Sequence, residues 1–448
     1  MLVLGLGSNQ GDRLENLRRA LALLKQIPDF SISQISPVYV SDALVPDDAP
    51  SKWDIPYFNL SLRCESSLNP YVLLKHLKEI EIKVGRTPEK KWGPRIIDID
   101  LLAWDDLIQY DEKLHIPHEH LHDRPFALWP FADIAPEWIY PLPGVHQGKT
   151  AAEMVTQWGS RFDGNAPFHT QQIQQRIDTP QLVGILNLTP DSFSDGGEAT
   201  HLNSAVDKFR ELILSGAEVI DIGAEATGPK AISLTSEEEW QRLAPFLETI
   251  MSELKDLSLQ PKISIDTRHA QTAKKALDLG VNWINDVTGL CDPAMREIIA
   301  SQPQCDVVIM HNLGVPVSNS SLIPSKENPV DVVHQWAEVQ LNLLSKQGIS
   351  ENRIILDIGI GYGKTAAQSL ALIREIERFR DLNTRLLVGH SRKSFLQQFT
   401  VKPAAQRDIE TVVLSLYLAN KQVNFLRVHD VMAHARAFKV ANACGSLF

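Results

Sequence analysis

Hydrophobic spacing changes character several times along the first third of the chain. VLGLGS is a short apolar run that reads as a buried strand, and Leu14, Leu17, Leu21 and Leu24 then recur at three- and four-residue steps, one face of a helix over 12–27. Residues 31–40 and 57–64 alternate and predict strands. Leu74, Leu77, Ile80 and Val84 predict a helix over 71–84, and 96–104 returns to strand spacing. The order βαββαβ points to an α+β, ferredoxin-like sheet. Further on, apolar runs ending in polar residues recur eight times: LVGILN, EVIDIG, KISID, VNWIND, CDVVIMH, RIILDIG, RLLVG and VNFLRVH. Helical spacing follows them, as at 203–215, 236–254, 269–279, 330–346, 366–379, 405–420 and 431–443. Eight βα units in this length fit an α/β (β/α)8 TIM barrel, with an open doubly wound sheet as the alternative because periodicity does not say whether a sheet closes.

Six of nine tryptophans precede residue 160, and 159–180 is polar, Gln-rich and without an apolar period. That change of texture places an N-terminal domain at 1–160, a linker at 161–178 and the barrel at 179–448. The 448 residues carry a net charge of −11, which repels polyanions and excludes nucleic acid or an anionic membrane as a bulk partner. No apolar run approaches the roughly 18 residues of a membrane span. The start MLVLGLGSNQGDR has no basic n-region, and the four cysteines, far apart and without a CxxC pair, suggest reduced thiols. A cytoplasmic location is expected.

Chemistry concentrates first in WGPRIIDID. Asp98 and Asp100 stand two apart on a strand, so both carboxylates share a face. Two hard oxygen donors suit Mg2+ arriving with nucleotide phosphates, although an exposed strand face would read the same. The cations around them, Arg86, Lys90, Lys91, Arg95, His118 and Arg124, favour phosphoryl transfer from ATP. GLGSNQG is one residue too long for a GxGxxG dinucleotide loop. GLGSNQGD, YFNLSL, VGR, WGPRIIDIDLL, IPH and RPFALWP together resemble the 6-hydroxymethyl-7,8-dihydropterin pyrophosphokinase family. The resemblance implies that Asp98 and Asp100 bind Mg2+ bridging ATP. It also implies that Tyr57, Asn59 and Phe126 hold the pterin with Leu44 and Val45 near its rim, and that Arg86, Arg95, His118 and Arg124 hold phosphates. The segment SDALVPDDAPSKWD departs from the family's usual loop text.

In the second half, polar residues stand where the strands finish, the active end of a (β/α)8 barrel: Asn187, Glu225, Asp266, Asn285, Asp286, His311, Asp357, Lys393, Arg427 and His429. Any one of them alone would read as a cap or loop hydrogen bond. Acidic and amide groups follow strands three, four and six, and cations follow seven and eight, where an anion belongs. GIGYGKT is one residue short of a Walker loop. GILNLTPDSFSDGG, DIGAEATGPKA, SIDT, INDV, LDIGIGYGK, VGHSRKSF and RVHDV resemble dihydropteroate synthase. That resemblance implies that Asn187 helps hold Mg2+ and diphosphate, that Asp266, Asn285, Asp357 and Lys393 grip the pterin, and that Arg427 and His429 bind diphosphate. Thr227 and Ser394 would then lie by p-aminobenzoate, with Asp191, Ser192 and Phe193 in a lid. Where the family reads ESTRPG this chain has Gly228, and Lys230 supplies charge without a guanidinium's two-pronged geometry. Ile358 stands where proline is common.

The implied activity is bifunctional folate biosynthesis: diphosphate transfer from ATP to the pterin's hydroxymethyl group, then displacement of that diphosphate by p-aminobenzoate to give 7,8-dihydropteroate. Asp98, Asp100, Arg86, Arg95, Lys393 and Asp266 are the candidate catalytic groups, and a homodimer through the barrel is compatible with the resemblance. The competing reading is an active kinase carrying a non-catalytic pterin-binding or dimerisation barrel.

Overall fold

Leucines alternating with two glycines make β1 (Leu2–Ser8) an inner strand of an antiparallel sheet, apolar on one face and nearly bare on the other. The computed structural model describes all residues except 47–48, 88–92, 174–178, 189–197, 226–232, 256–259, 317–320 and 445–448. It forms two compact units, Met1–Asp178 and Thr179–Phe448.

In the first unit, α1 (Arg13–Leu24) starts where the Asp12 side chain accepts a hydrogen bond from Glu15 N. The expected strand over 31–40 is two strands, β2 (Phe30–Ile35) and β3 (Tyr39–Ser41), because Pro37 has no N–H to give the ladder. Both pair with the long β4 (Tyr57–Ser66). Helix α2 (Pro70–Val84) is capped by Asn69 and ended by Gly85, and β5 (Asp98–Trp104) returns beside β1. A hairpin of β6 (Gln109–Tyr110) and β7 (His115–Ile116) precedes α3 (Pro125–Ile134) and α4 (Ala151–Val155). One core joins Leu4, Leu6 and Leu60 to Leu17, Leu77 and Ile80 of α1 and α2. A second, built on Tyr39, Leu102, Trp129 and Phe131, closes the opposite face under α3.

The linker expected at 161–178 is not free chain over its first part. Residues 161–173 pack on the first unit, where β8 (Gln171–Gln172) adds to β3. A two-residue strand leaves no periodic signal, so composition alone read this stretch as a tether. Residues 174–178 lie outside the described residues.

In the second unit the strands close, which removes the open-sheet alternative. Chain order is β9 (Gln181–Asn187), α5 (Glu198–Leu214), β10 (Val219–Gly223), α6 (Ser236–Leu254), β11 (Lys262–Asp266), α7 (Ala270–Asp278), β12 (Trp283–Asp286) and α8 (Pro293–Ser301). Then follow β13 (Asp306–Met310), α9 (Pro329–Lys346), β14 (Ile354–Asp357), α10 (Ala366–Arg374), β15 (Arg385–Val388), α11 (Asp408–Asn420), β16 (Phe425–Val428) and α12 (Val431–Ala443). The helices expected at 366–379 and 405–420 are shorter, each joined to a 3-10 turn, Ile376–Leu382 and Ala404–Gln406. Strand alternation sorts the side chains: Ile220, Ile222, Ile284, Leu356 and Leu426 face the helices. Val183, Val219, Trp283, Val308, Ile355, Leu387 and Phe425 fill the barrel's interior, with Trp283 and Phe425 edge to face at 4.9 Å. Two residues further along, four of these strands turn polar at the inward position, with Asp221, Asn285, Asp357 and Arg427.

Candidate active sites

Gly5 and Gly7 open a cavity in the first unit. They pair with Ser61 and Asn59 on one side and with Asp100 and Asp98 on the other, so this inner strand offers backbone between two rows of functional side chains. A Cβ on Gly7 would stand 3.2 Å from Asn59 Oδ1, close enough to displace the amide, and 3.4 Å from Tyr57. Tyr57, Asn59, Leu44, Phe126, Arg95, Asp98, Asp100, His118 and Arg124 all line this cavity. Val45 and Arg86 do not line it. Arg86 Nη1 instead bridges Glu81 and Asp98, 2.6 Å from each, so it positions Asp98 from behind.

Charge in this cavity is unevenly matched. Burial works against the Asp98 carboxylate, but Arg95 and Arg86 outweigh it and hold its pKa low. Asp100 makes no ion pair among the described residues, and burial, reinforced by the Asp98 charge, pushes it up to about 7. Burial and then Arg124 push His118 down to about 4, which keeps it neutral at pH 7. Among the described residues no three His, Cys, Asp or Glu side chains converge. A cation here would complete its shell with phosphate and water oxygens, which fits Mg2+ and an under-compensated Asp100. Lys90 and Lys91 lie outside the described residues.

Inside the barrel, Arg427 Nε donates to Asp221 Oδ2 at 2.6 Å and Nη2 to Asp266 Oδ2 at 2.8 Å. Asp221 also accepts from Ser264 Oγ at 2.5 Å and Asn285 Nδ2 at 2.9 Å. Sequence reasoning missed Asp221. Its signal was an acidic residue in mid-run in EVIDIG, where strand parity turns it inward. Burial raises Asp266 to about 7 even against the pull of Arg427. Arg427 is therefore occupied by two carboxylates.

Asp357 and Lys393 meet over Gly389, where a Cβ would lie 3.6 Å from Asp357 Oδ2 and 3.8 Å from Lys393 Nζ. Lys393 donates to Ile360 O at 2.6 Å and stands 4.8 Å from the Tyr362 ring centre. Burial lowers it to about 8, opposed by Asp357. His429 shares a 2.9 Å hydrogen bond with Ser391 Oγ and is pushed to about 4 by burial and then Arg392. Asn187 lies at the end of β9, near Asp266 across Gly223, and Ser394 is exposed beside Lys393.

Three expected rim residues do structural work. Glu225 is held by both arms of Arg268 at 2.9 Å, and Asp286 accepts from Thr288 and Leu290 within its own turn. His311, 2% exposed, receives Lys364 Nζ at 2.8 Å on its ring and packs on Trp336. That lysine also donates to Tyr362 O at 2.9 Å, and a Cβ on Gly359, at φ +66°, would lie 1.9 Å from His311 O. The glycines of GIGYGK thus fold a tight turn against β13 instead of cradling phosphate. Thr227, Gly228, Lys230, Asp191, Ser192 and Phe193 lie outside the described residues.

A ferredoxin-like unit with a paired-carboxylate cavity, followed by a closed barrel with acid, amide and cation groups at one end, defines a two-site transferase. Residues 3–136 match the 7,8-dihydro-6-hydroxymethylpterin-pyrophosphokinase family and residues 183–429 the pterin binding enzyme family. The folate synthesis bifunctional protein of Chlamydia caviae is 35% identical over 98% of this chain and 97% of its own length. The mitochondrial folate synthesis bifunctional protein of Arabidopsis thaliana is 33% identical over 99% of this chain and 82% of its own. Dihydropteroate synthase from Anaplasma phagocytophilum, solved with 6-hydroxymethylpterin-monophosphate, is 39% identical at a TM-score of 0.54, covering 59% of this chain and 99% of that one. The Xanthomonas albilineans synthase with 4-aminobenzoic acid is 32% identical at 0.55, covering 60% and 95%. The chain belongs to the folate synthesis bifunctional protein family, joining a pyrophosphokinase that uses ATP to a dihydropteroate synthase. A non-catalytic barrel is not favoured, because the likeness to bifunctional proteins runs the whole length.

Proposed function

We propose that residues 1–160 form the kinase domain and 179–448 the synthase, and that the residues gathered in each site hold the ligands of consecutive steps. In the first cavity Tyr57 and Phe126 offer flat faces to a pterin and Asn59 an edge hydrogen bond, beside the rim residue Leu44. Arg95, Arg124 and neutral His118 face the phosphates of ATP. Asp98 and Asp100 would hold Mg2+, which supplies charge neutralisation to the transferred diphosphate. The chain's own part is to fix the carboxylates on one strand and to keep Asp98 ionised through Arg86 and Arg95.

In the barrel, Asp221, Asp266, Asn285 and Asp357 present acceptors and an amide to a pterin's ring edge, under Lys393. Arg427 and His429 face the departing diphosphate, whose charge grows as the carbon–oxygen bond breaks. Asn187 offers one hard oxygen for Mg2+, and Ser394 and Thr227 would flank p-aminobenzoate, with Lys230 replacing the charge absent at Gly228. The single observation that carries the reading is the convergence of Asp221, Asp266, Asn285 and Arg427 in one hydrogen-bonded layer above the apolar fill. Lys393→Ala should raise the KM for pterin diphosphate about 10- to 100-fold, the scale of one charge-assisted contact, with AMP release unchanged. A wild-type condensation rate at low substrate would remove Lys393 from the site.

The barrel also carries a surface suited to self-association. Ile409, Val413 and Tyr417 recur four residues apart on exposed α11, with Met432 and Val440 exposed on neighbouring α12. A homodimer would cover this stripe, and Val413→Glu should shift sedimentation toward monomer; an unchanged profile would place any dimer contact elsewhere. Among the described residues no helix is long and apolar enough to cross a membrane. Cys64 and Cys305 are buried thiols, which supports a reducing, cytoplasmic setting.

A further inference from the structure

Residues 161–173 run back over the kinase unit beyond residue 136, the last that matches the pyrophosphokinase family. Their hydrogen bonds are specific. Arg161 pairs with Asp133 of α3 and donates to the Tyr39 hydroxyl at 3.0 Å, while Tyr39 donates to Asp133 at 2.7 Å. Gln172 N donates to Arg161 O, and Ile173 N to Val38 O. Between these anchors the strap reaches the pterin cavity. Phe168 lies edge to face on Phe126, with ring centres 5.3 Å apart and planes at 72°. Its carbonyl accepts from Asp42 N at 2.8 Å, and the His169 ring meets the Asp42 carboxylate at 2.5 Å. Asp42 and Phe126 both line the cavity, and Ser41, next to Asp42, accepts from Asn59 Nδ2 at 3.0 Å. Phe168 and His169 take φ of +61° and +43°, a conformation that side chains disfavour and that persists where surrounding bonds dictate it.

We propose that this strap completes the kinase's pterin site, with Phe168 a positioning residue that sets the ring of Phe126 and, through Asp42, the loop opposite. The inference rests on reading Phe126 as a pterin contact. Phe126 is the second residue of α3 and half-exposed, so without a neighbour its ring would be free to swing out of the stacking plane. Phe168 bounds it on one side, while the Arg124 guanidinium lies 6.0 Å from its centre. A ring held ready loses less freedom on binding, and that gain appears in substrate affinity ahead of turnover.

The test is a double-mutant cycle in the full chain. Phe168→Ala should raise the KM for 6-hydroxymethyl-7,8-dihydropterin about 2- to 12-fold, the range of one edge-to-face pair, with kcat, the KM for ATP and the synthase rate unchanged. Phe168→Tyr, which keeps the ring, should recover most of the loss, and in a Phe126→Ala background Phe168→Ala should add nothing. Equal loss of kcat and of both KM values with a lower Tm, or effects that simply add to those of Phe126→Ala, would make the strap merely structural and overturn the proposal. An unchanged pterin KM in Phe168→Ala overturns it as well. If Phe126→Ala itself leaves the pterin KM unchanged, the ligand assignment fails and takes this inference with it.

Discussion

Asp98→Ala or Asp100→Ala should lower pterin-dependent AMP release by about a thousandfold or more, the scale of removing a group that stabilises transferring charge. The same enzymes should condense supplied pterin diphosphate with p-aminobenzoate at the wild-type rate. The two changes differ in their side effects. Losing Asp98 leaves Arg95 without its carboxylate and Arg86 with Glu81 alone. Losing Asp100 removes a buried carboxyl that no described cation pairs, so the Asp100→Ala protein should keep its Tm better. Separate cores make the sparing of condensation the expected result, since each described apolar cluster is built from residues of one unit. If either change also stopped condensation, independent sites would be the wrong picture.

Arg427→Ala should abolish condensation and also destabilise the barrel by about 3 to 5 kcal/mol near pH 8, the usual result of stripping one partner from buried charges. Asp221, 1% exposed, would lose its cation, as would Asp266. The pH dependence has a definite sign. Asp266 has a folded pKa of about 7, above an unfolded value of about 4, so the folded state holds the proton more tightly. Its penalty is absent below about pH 4, grows as pH rises and is complete above about 7. Arg427 pulls this pKa down, so its removal should carry the decline to still higher pH. Thermal melts from pH 5 to 8 should therefore show the gap between wild type and variant widening with pH. A constant gap would mean that Arg427 acts by packing and not by charge.

How much of this was readable beforehand depended on whether a residue's partner lay close in sequence. The barrel strands were legible because each run ends in a polar residue, and parity alone turns Asp266, Asn285, Asp357 and Arg427 inward. The same parity would have found Asp221, but an acid within an apolar run drew no attention where run ends were sought. Glu225, Asp286 and His311 carry the right chemistry at the right strand ends. What occupies them is Arg268, the Thr288 turn and Lys364, and only the fold brings His311 and Lys364 together. Helix α8 went unnamed because its nine residues bury only Met295 and Ile299. The strap escaped notice for a related reason: its hold on the sheet comes from Arg161, Asp133 and Tyr39, distant in sequence.

The apolar fill of the barrel has a consequence for traffic. Val219, Trp283, Ile355, Phe425 and their neighbours fill the axis one layer below Asp221 and Asn285, so among the described residues that polar layer is closed toward the other end of the barrel. On the proposed assignment, a pterin reaching Asp221 and Asn285 at the floor would pass Lys393 and Ser394 at the lip, and the diphosphate would leave by the way the pterin came in. A ligand seated at the lip first would bar the floor. Binding should therefore be ordered, with the pterin ahead of the aryl amine, and excess p-aminobenzoate should slow the reaction by corking an empty chamber.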